Sequence, residues 1–117
     1  MKRLVYSPDA AQKLRNIKRD VTINFGADVA KRVVSNMTQT VRRLQRYEQS
    51  GISVEKAIGV PCDYLMVYTE HNYAFYRITD GSIYIVDIFH EREDFMWKLF
   101  GIRTASQETA PRPRGSR

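Results

Sequence analysis

The chain reads as an α+β domain in which a helical hairpin lies on a small antiparallel sheet, in the order β-α-α-β-β-β-α. Three observations predict this. Apolar residues recur at three- and four-residue steps from Ala10 to Phe25 and again from Ala30 to Tyr47, the stripe of an amphipathic helix. Beyond residue 63 the spacing changes to two, in three runs rich in aromatic and β-branched residues. Turn-forming residues punctuate those runs, most clearly Asp80-Gly81.

Leu4, Val5 and Tyr6 make a short first strand over residues 2–6, at an edge or in the centre of the sheet. Ser7-Pro8-Asp9 then starts a helix. The serine hydroxyl can cap free N–H groups, the proline suits the first helical position, and the aspartate complements the positive end of the dipole. Ala10, Leu14, Ile17, Val21 and Phe25 form its apolar face, and Gly26 ends or kinks it. Ala27-Asp28 restarts a second helix with Ala30, Val33, Met37, Val41, Leu44 and Tyr47 on one side. Two such stripes joined by a tight link form an antiparallel pair that must cover a sheet.

Ser50-Gly51 closes the second helix, and Gly59, Pro61 and Asp63 argue against regular structure in the connector 52–60. Residues 64–69 form the next strand, and Glu70-His71-Asn72 turns it into the next. The runs 73–79 and 82–89 form a hairpin whose Asp80-Gly81 link suits a type I′ turn, with positive φ at both positions. The second of these runs, from Ile83 to Phe89, is apolar almost throughout, as a central strand covered on both faces would be. Phe95, Met96, Leu99 and Phe100 give a last short helix ending at Gly101. The domain is thus expected over 1–102, followed by a disordered basic tail over 103–117 with two prolines, a glycine and scattered arginines. There are no internal repeats.

Net charge is +6 and the sequence pI about 9.7, a balance that suits an anionic partner such as nucleic acid or an acidic protein. Residues 7–51 carry nine Lys/Arg against four Asp/Glu, whereas residues 52–102 carry four against eight. Positive charge therefore sits on the helical half and the tail, although a solvated helix face accounts for much of it. No apolar run approaches the roughly 20 residues of a membrane span and no signal peptide begins the chain, so a cytoplasmic protein without membrane contact is expected. One cysteine, Cys62, forms no internal disulfide, and two histidines beside it make a metal site an unfavourable reading. No cofactor is implied.

The polar end of the second hairpin strand is the first place to look for function, because a buried strand there hands His90, Glu91, Arg92, Glu93 and Asp94 to solvent. Trp97 on the final helix is a candidate contact residue, and His71 reads as a surface residue in a turn. Most of the tyrosines fill space in the core or at its rim.

The element order, together with three local patterns, resembles the RelE/ParE superfamily of toxins from bacterial type II toxin-antitoxin modules. The patterns are Tyr6-Ser7-Pro8 leading into Ala10, Ala11 and Leu14; Gly59-Val60-Pro61 followed by Tyr64; and Tyr76-Arg77-Ile78 leading through Val86 and Ile88 to His90-Glu91-Arg92-Glu93-Asp94. The last, an apolar strand ending in H-x-R-x-D, is the most specific and looks most like the plasmid-stabilisation, ParE-type branch. The resemblance covers about residues 2–100.

It implies a growth-inhibiting toxin neutralised by a cognate antitoxin, with either ribosome-bound messenger RNA or DNA gyrase as target. The first target makes the protein a metal-independent, ribosome-dependent endoribonuclease that drives a ribose 2′-hydroxyl at its own phosphate. Such chemistry needs a base, an acid and positive charge on the phosphate. His90 then serves as acid or base, Arg92 and Arg77 hold phosphate, and Tyr73 or Tyr76 stacks on a base, with Trp97 as a further contact. RelE-type members place lysines on the strand after the Gly-x-Pro pattern, where this chain has Leu65, Met66 and Val67, and an arginine where it has Tyr73 or Ala74. The second target, gyrase, needs none of these groups. A third reading pairs Arg77 and Arg92 with Asp87, Glu91 or Asp94 in a local ion network. The resemblance further implies that acidic residues of the antitoxin face Arg15, Lys18, Lys31, Arg42 or Arg43, and that operator DNA is bound only through the antitoxin complex. A non-toxic basic RNA-binding domain, or an inactive member of the family, would share these features.

Overall fold

The structure is a computed structural model and describes residues 1–101. The predicted tail at 103–117 lies outside the described residues. Strand β1 (Arg3–Tyr6) leads into helix α1 (Pro8–Phe25), and helix α2 (Ala27–Arg42) runs on into a 3-10 turn, Arg43–Gln45. Then come β2 (Ile52–Ser53), the short helix α3 (Val54–Ile58), β3 (Leu65–Thr69), β4 (Asn72–Ile78), β5 (Ser82–His90) and α4 (Phe95–Phe100). The five strands form one sheet in the order β1-β5-β4-β3-β2.

Ser7 joins the helical layer to the sheet. Its Oγ accepts from the Ala10 N–H at 2.9 Å and donates to the Val86 carbonyl at 2.6 Å, while its own N–H donates to Ile85 at 2.9 Å. One side chain thus caps α1 and fixes it on β5. Gly26, at φ 96°, both ends α1 and opens α2, a backbone region that side chains other than glycine seldom adopt.

Two apolar clusters lie on opposite faces of the sheet. The helix-side cluster contains Ala10, Met37, Val41 and Leu44 of the helices with Ala74, Tyr76, Ile83, Ile85 and Ile88 of the strands. The other contains Val54, Met66, Phe75 and Phe89, with Tyr64, Tyr73, Phe95 and Leu99 packed against it. β5 is therefore an internal strand covered on both sides, as its apolar run predicts. Its alternation is interrupted once. Phe75 faces Asp87 and Tyr76 faces Ile85, so Val86 is an extra residue, a bulge whose carbonyl is the one taken by Ser7. Ile83 and Ile85 share the helix-side cluster with Ile88 because of that inserted residue.

The structure departs from the sequence reading in four places. β1 pairs with β5 in parallel, so the sheet is mixed rather than wholly antiparallel. The connector 52–60 is largely regular, with β2 paired to β3 and α3 capped by the Ser53 hydroxyl; Gly59, at φ 79°, terminates that helix instead of marking a loop. Neither Asp80 nor Gly81 has a positive φ; the residue pair with positive φ is Glu70 (50°) and His71 (65°), in the two-residue turn between β3 and β4. Tyr76 is fully buried, donating its hydroxyl to the Glu48 carbonyl at 2.8 Å and accepting from the Gly51 N–H at 3.0 Å. It cannot stack on a base.

Candidate functional site

The β3–β4 turn, the end of β5 and the adjoining flank of the helical hairpin enclose a concavity of about 430 Å³. Its walls are Ile17, Val21 and Phe25 of α1 with Val33 of α2, and its polar end holds Glu70, His71, His90 and Glu93. The bulge in β5 sets this up, since the shift that returns Ile88 to the helix-side core also turns His90, two residues on, toward the same side. Lys13 of α1 closes one edge: its ammonium donates to Asp87 Oδ1 and to the Ile88 carbonyl, both at 2.9 Å, and lies 4.2 Å from the Phe89 ring centroid. Asp87 thus belongs to Lys13, and not to an arginine.

The five residues after the apolar part of β5 are held mainly by local bonds. His90 Nδ1 accepts from the Arg92 N–H at 3.1 Å, and the His90 N–H donates to Glu93 Oε1 at 2.9 Å. Glu93 Oε2 also receives Lys98 at 2.6 Å, and Asp94 caps α4 by accepting from the Trp97 N–H at 3.1 Å. Burial works to raise the Glu93 carboxyl, but the bonds from Lys98 and the His90 N–H outweigh it and leave the group below its ordinary value. Glu91 ties the strand end to the neighbouring turn. Its carboxylate receives the Tyr68 hydroxyl at 2.7 Å and faces His71 Nδ1 at 2.9 Å, and its N–H donates to the His71 carbonyl at 2.8 Å. Those bonds, from Tyr68 first and His71 second, pull the Glu91 carboxyl down and push the Tyr68 hydroxyl up.

The sequence-predicted site residues do not converge. His90 is half-buried at the concavity. Arg92 is exposed beside it, and its guanidinium makes no ion pair with any described residue. Arg77 pairs across from Tyr84, whereas Asn72 pairs with His90, so Arg77 lies five residues along β4, about 17 Å from the strand end. There its guanidinium makes two 3.0 Å bonds to Asp63, which lower the Asp63 carboxyl, and its Cζ lies 5.8 Å from the Tyr64 ring centroid. The local ion network expected for Arg77 exists, then, but with Asp63 rather than Asp87, Glu91 or Asp94. Tyr73 is half-buried between Tyr68 and Phe95, with ring centroids 5.2 and 6.0 Å away, and Trp97 is 43% exposed on α4. Tyr68 and Lys13 carry much of the geometry and have no motif to mark them, while His71 is the exposed turn residue expected and also ties the turn to Glu91. Only the proximity of Glu70-His71 to a strand end hinted at them.

Among the described residues no group of three or more His, Cys, Asp or Glu is placed to hold a metal ion, and no helix is long and apolar enough to cross a membrane. The positive helical residues Arg15, Lys18, Lys31, Arg42 and Arg43 are all exposed.

A family model described as the ParE toxin of the type II toxin-antitoxin system, parDE, matches residues 4–95. No curated protein matches the chain. Among solved structures, a chain of the chromosomal ParDE TA system from P. aeruginosa is similar, with a TM-score of 0.65 and 23% identity over 77% of this chain and 96% of that one. That second likeness is one of fold, and it carries the same layers of helical hairpin and sheet. The family model runs from β1 to the first residue of α4 and so takes in every strand that forms the concavity; on that span, the chain belongs to the ParE toxin family of type II toxin-antitoxin systems.

Proposed function

We propose that the protein is the growth-inhibiting half of a type II toxin-antitoxin pair, and that it acts by binding DNA gyrase rather than by cutting messenger RNA. The observation that carries this choice is the dispersal of the groups a ribonuclease needs. Arg77 is held by Asp63 far along β4 and Tyr76 is inside the core, so neither stands with His90 at the concavity. β3 offers Leu65, Met66 and Val67 where RelE-type members carry lysines. A binding function requires only a shaped surface, and the concavity beside His90 with the open guanidinium of Arg92 supplies one.

The partner is an antitoxin segment that folds on this chain in the cytoplasm, its apolar residues entering between Ile17, Val21, Phe25 and Val33 and its acidic residues facing Arg15, Lys18 and Lys31. Ile23 and Phe25, 73% and 70% exposed, are apolar surface that such a segment would cover. Neutralisation follows from occupying the surface around Arg92.

The purified chain should inhibit gyrase supercoiling and leave ribosome-bound messenger RNA intact, and the antitoxin should relieve the inhibition. Cleavage of messenger RNA in the ribosomal A site, with gyrase unaffected, would overturn the choice of target. Expression without any effect on growth would point to an inactive member.

A further inference from the structure

A second concavity, of about 470 Å³, lies where α2 passes into the 3-10 turn, lined chiefly by Gln39, Arg42, Arg43, Gln45, Arg46 and Tyr47. We infer that it binds single-stranded nucleic acid, with the guanidinium groups of Arg42, Arg43 and Arg46 on backbone phosphates and the Tyr47 ring stacked on an unpaired base.

Charge balance is the first argument. No carboxylate lines the concavity. Arg43 donates only to Thr40 Oγ1, at 3.2 Å, and the side chains of Arg42 and Arg46 make neither a hydrogen bond nor an ion pair among the described residues. Glu48, the acid nearest in sequence, is taken by Lys2 at 3.1 Å. Three like charges on little more than one helical turn repel each other, and an anion placed among them removes that repulsion. The α2 dipole points its negative end at this spot, with about half a charge; three full positive charges outweigh it.

The frame is the second argument. Leu44 between the arginines is 1% exposed in the core, Gln45 donates to the Lys2 carbonyl at 2.8 Å, and the Tyr76 hydroxyl holds the Glu48 carbonyl. The cations therefore project from a fixed backbone, which limits the entropy lost on binding. Tyr47 separates the possible anions. The residue is 59% exposed and its ring has no aromatic neighbour among the described residues. An acidic peptide would use the arginines and leave that ring idle, whereas a nucleotide strand uses both, since guanidinium groups match phosphate and every base has a face to stack. The volume lies toward the low end of the roughly 300–1,000 Å³ typical of ligand sites, room for the one stacked base of a longer strand. This assigns Arg42 and Arg43 to a strand and not to the antitoxin. It does not rest on the choice of gyrase, and it differs from operator binding, which reads a duplex through the antitoxin.

Fluorescence anisotropy with labelled single-stranded DNA, RNA of the same sequence, and the DNA duplex tests it. Single strands should bind more tightly than the duplex, with log K falling against log salt at a slope of about −2, as for three phosphates at roughly 0.7 each. Changing Arg42, Arg43 and Arg46 together to Ala should weaken binding at least thirtyfold and flatten the slope. Tyr47→Ala should weaken it about tenfold with the slope unchanged, given typical base stacking, and Tyr47→Phe should bind like the parent. An Arg32→Ala, Lys56→Ala double variant, which removes two charges elsewhere, should leave affinity and slope in place. Either sugar binding through these four residues supports the site, and the tighter one names its source. The triple variant retaining parental affinity and slope, with its circular dichroism also unchanged, would overturn the inference. So would displacement of the oligonucleotide by polyglutamate at lower concentration than by unlabelled strand, which would make this an acidic-peptide site.

Discussion

Two groups of charged side chains differ in how their charges are met. At the end of β5, Glu91, Glu93 and Asp94 are bound by Tyr68, His71, Lys98 and backbone N–H groups, and even the His90 ring is used as an acceptor. At the end of α2, Arg42, Arg43 and Arg46 stand on a rigid turn with one hydrogen bond among them. The first cluster is conspicuous in the sequence and is mostly occupied in holding the strand end, its neighbouring turn and α4 together. The second is inconspicuous, one basic stretch of a helix among others, and it is left open. Charged groups whose partners lie within the chain contribute to stability, whereas those displayed without partners are available to another molecule. Arg92 is the one member of the first cluster that resembles the second.

The comparison breaks most visibly through the supports of the arginine turn. Leu44→Ala should lower stability by about 2–5 kcal/mol in urea denaturation, because it opens a cavity beneath the turn. Tyr76→Phe should cost less, about 1–3 kcal/mol, as the Glu48 carbonyl and the Gly51 N–H lose their partner. Gly51→Ala belongs with it, since a Cβ there would collide with the Tyr76 hydroxyl. At the other cluster, Glu93→Ala removes the acceptor of the His90 N–H and the partner of Lys98, at about 1 kcal/mol given its partial exposure. Glu93→Gln should recover part of that loss by keeping the backbone bond. Equal losses for Ala and Gln would mean that the Lys98 ion pair alone matters.

The layers were legible in the residues because the helix stripes repeat at three and four residues, the strand runs beyond residue 63 at two, and the apolar β5 run marks a strand covered on both faces. Ser7-Pro8-Asp9 also named its own role as a cap. What was hidden depends on tertiary choice. Asp-Gly favours a type I′ turn locally, yet the positive φ angles fall on Glu70 and His71, whose side chains tie into Asn36 and Glu91. A run apolar on both faces conceals a bulge, so nothing in Ile85-Val86-Asp87-Ile88 told that His90 would turn toward the helices. Tyr73 and Tyr76, the two alternatives for stacking on a base, are three apart on a strand and so face opposite sides; Tyr76 is buried in the core and Tyr73 is half-buried. The partner of Arg77, Asp63, lies fourteen residues earlier, just past the connector that composition reads as irregular.

Acid should loosen the first cluster, together with the Asp63–Arg77 pair, and spare the second. Asp63, Glu91 and Glu93 all have carboxyls below their ordinary values in the folded chain. The unfolded chain therefore binds more protons over that range, and the stability these groups contribute is present above the ordinary carboxylate pKa and lost as pH falls through the folded values. Melting temperature should fall on acidification from about pH 5 to pH 3. Combining Glu91→Gln with Asp63→Asn should flatten that fall, and an unaltered profile would remove the linkage.

The smallest change in stability is expected at Arg92, and it sharpens the comparison most. Its guanidinium has no partner among the described residues, so Arg92→Ala should alter stability by less than about 0.5 kcal/mol, as for other exposed positions. Its backbone N–H, which holds the His90 ring, is present in alanine too, so the local turn survives the change. A loss of growth inhibition in that variant, with melting unchanged, would place Arg92 among the groups offered outward. Full inhibition would return the whole end of β5 to a structural role and leave the arginine turn of α2 as the charged surface that faces a partner.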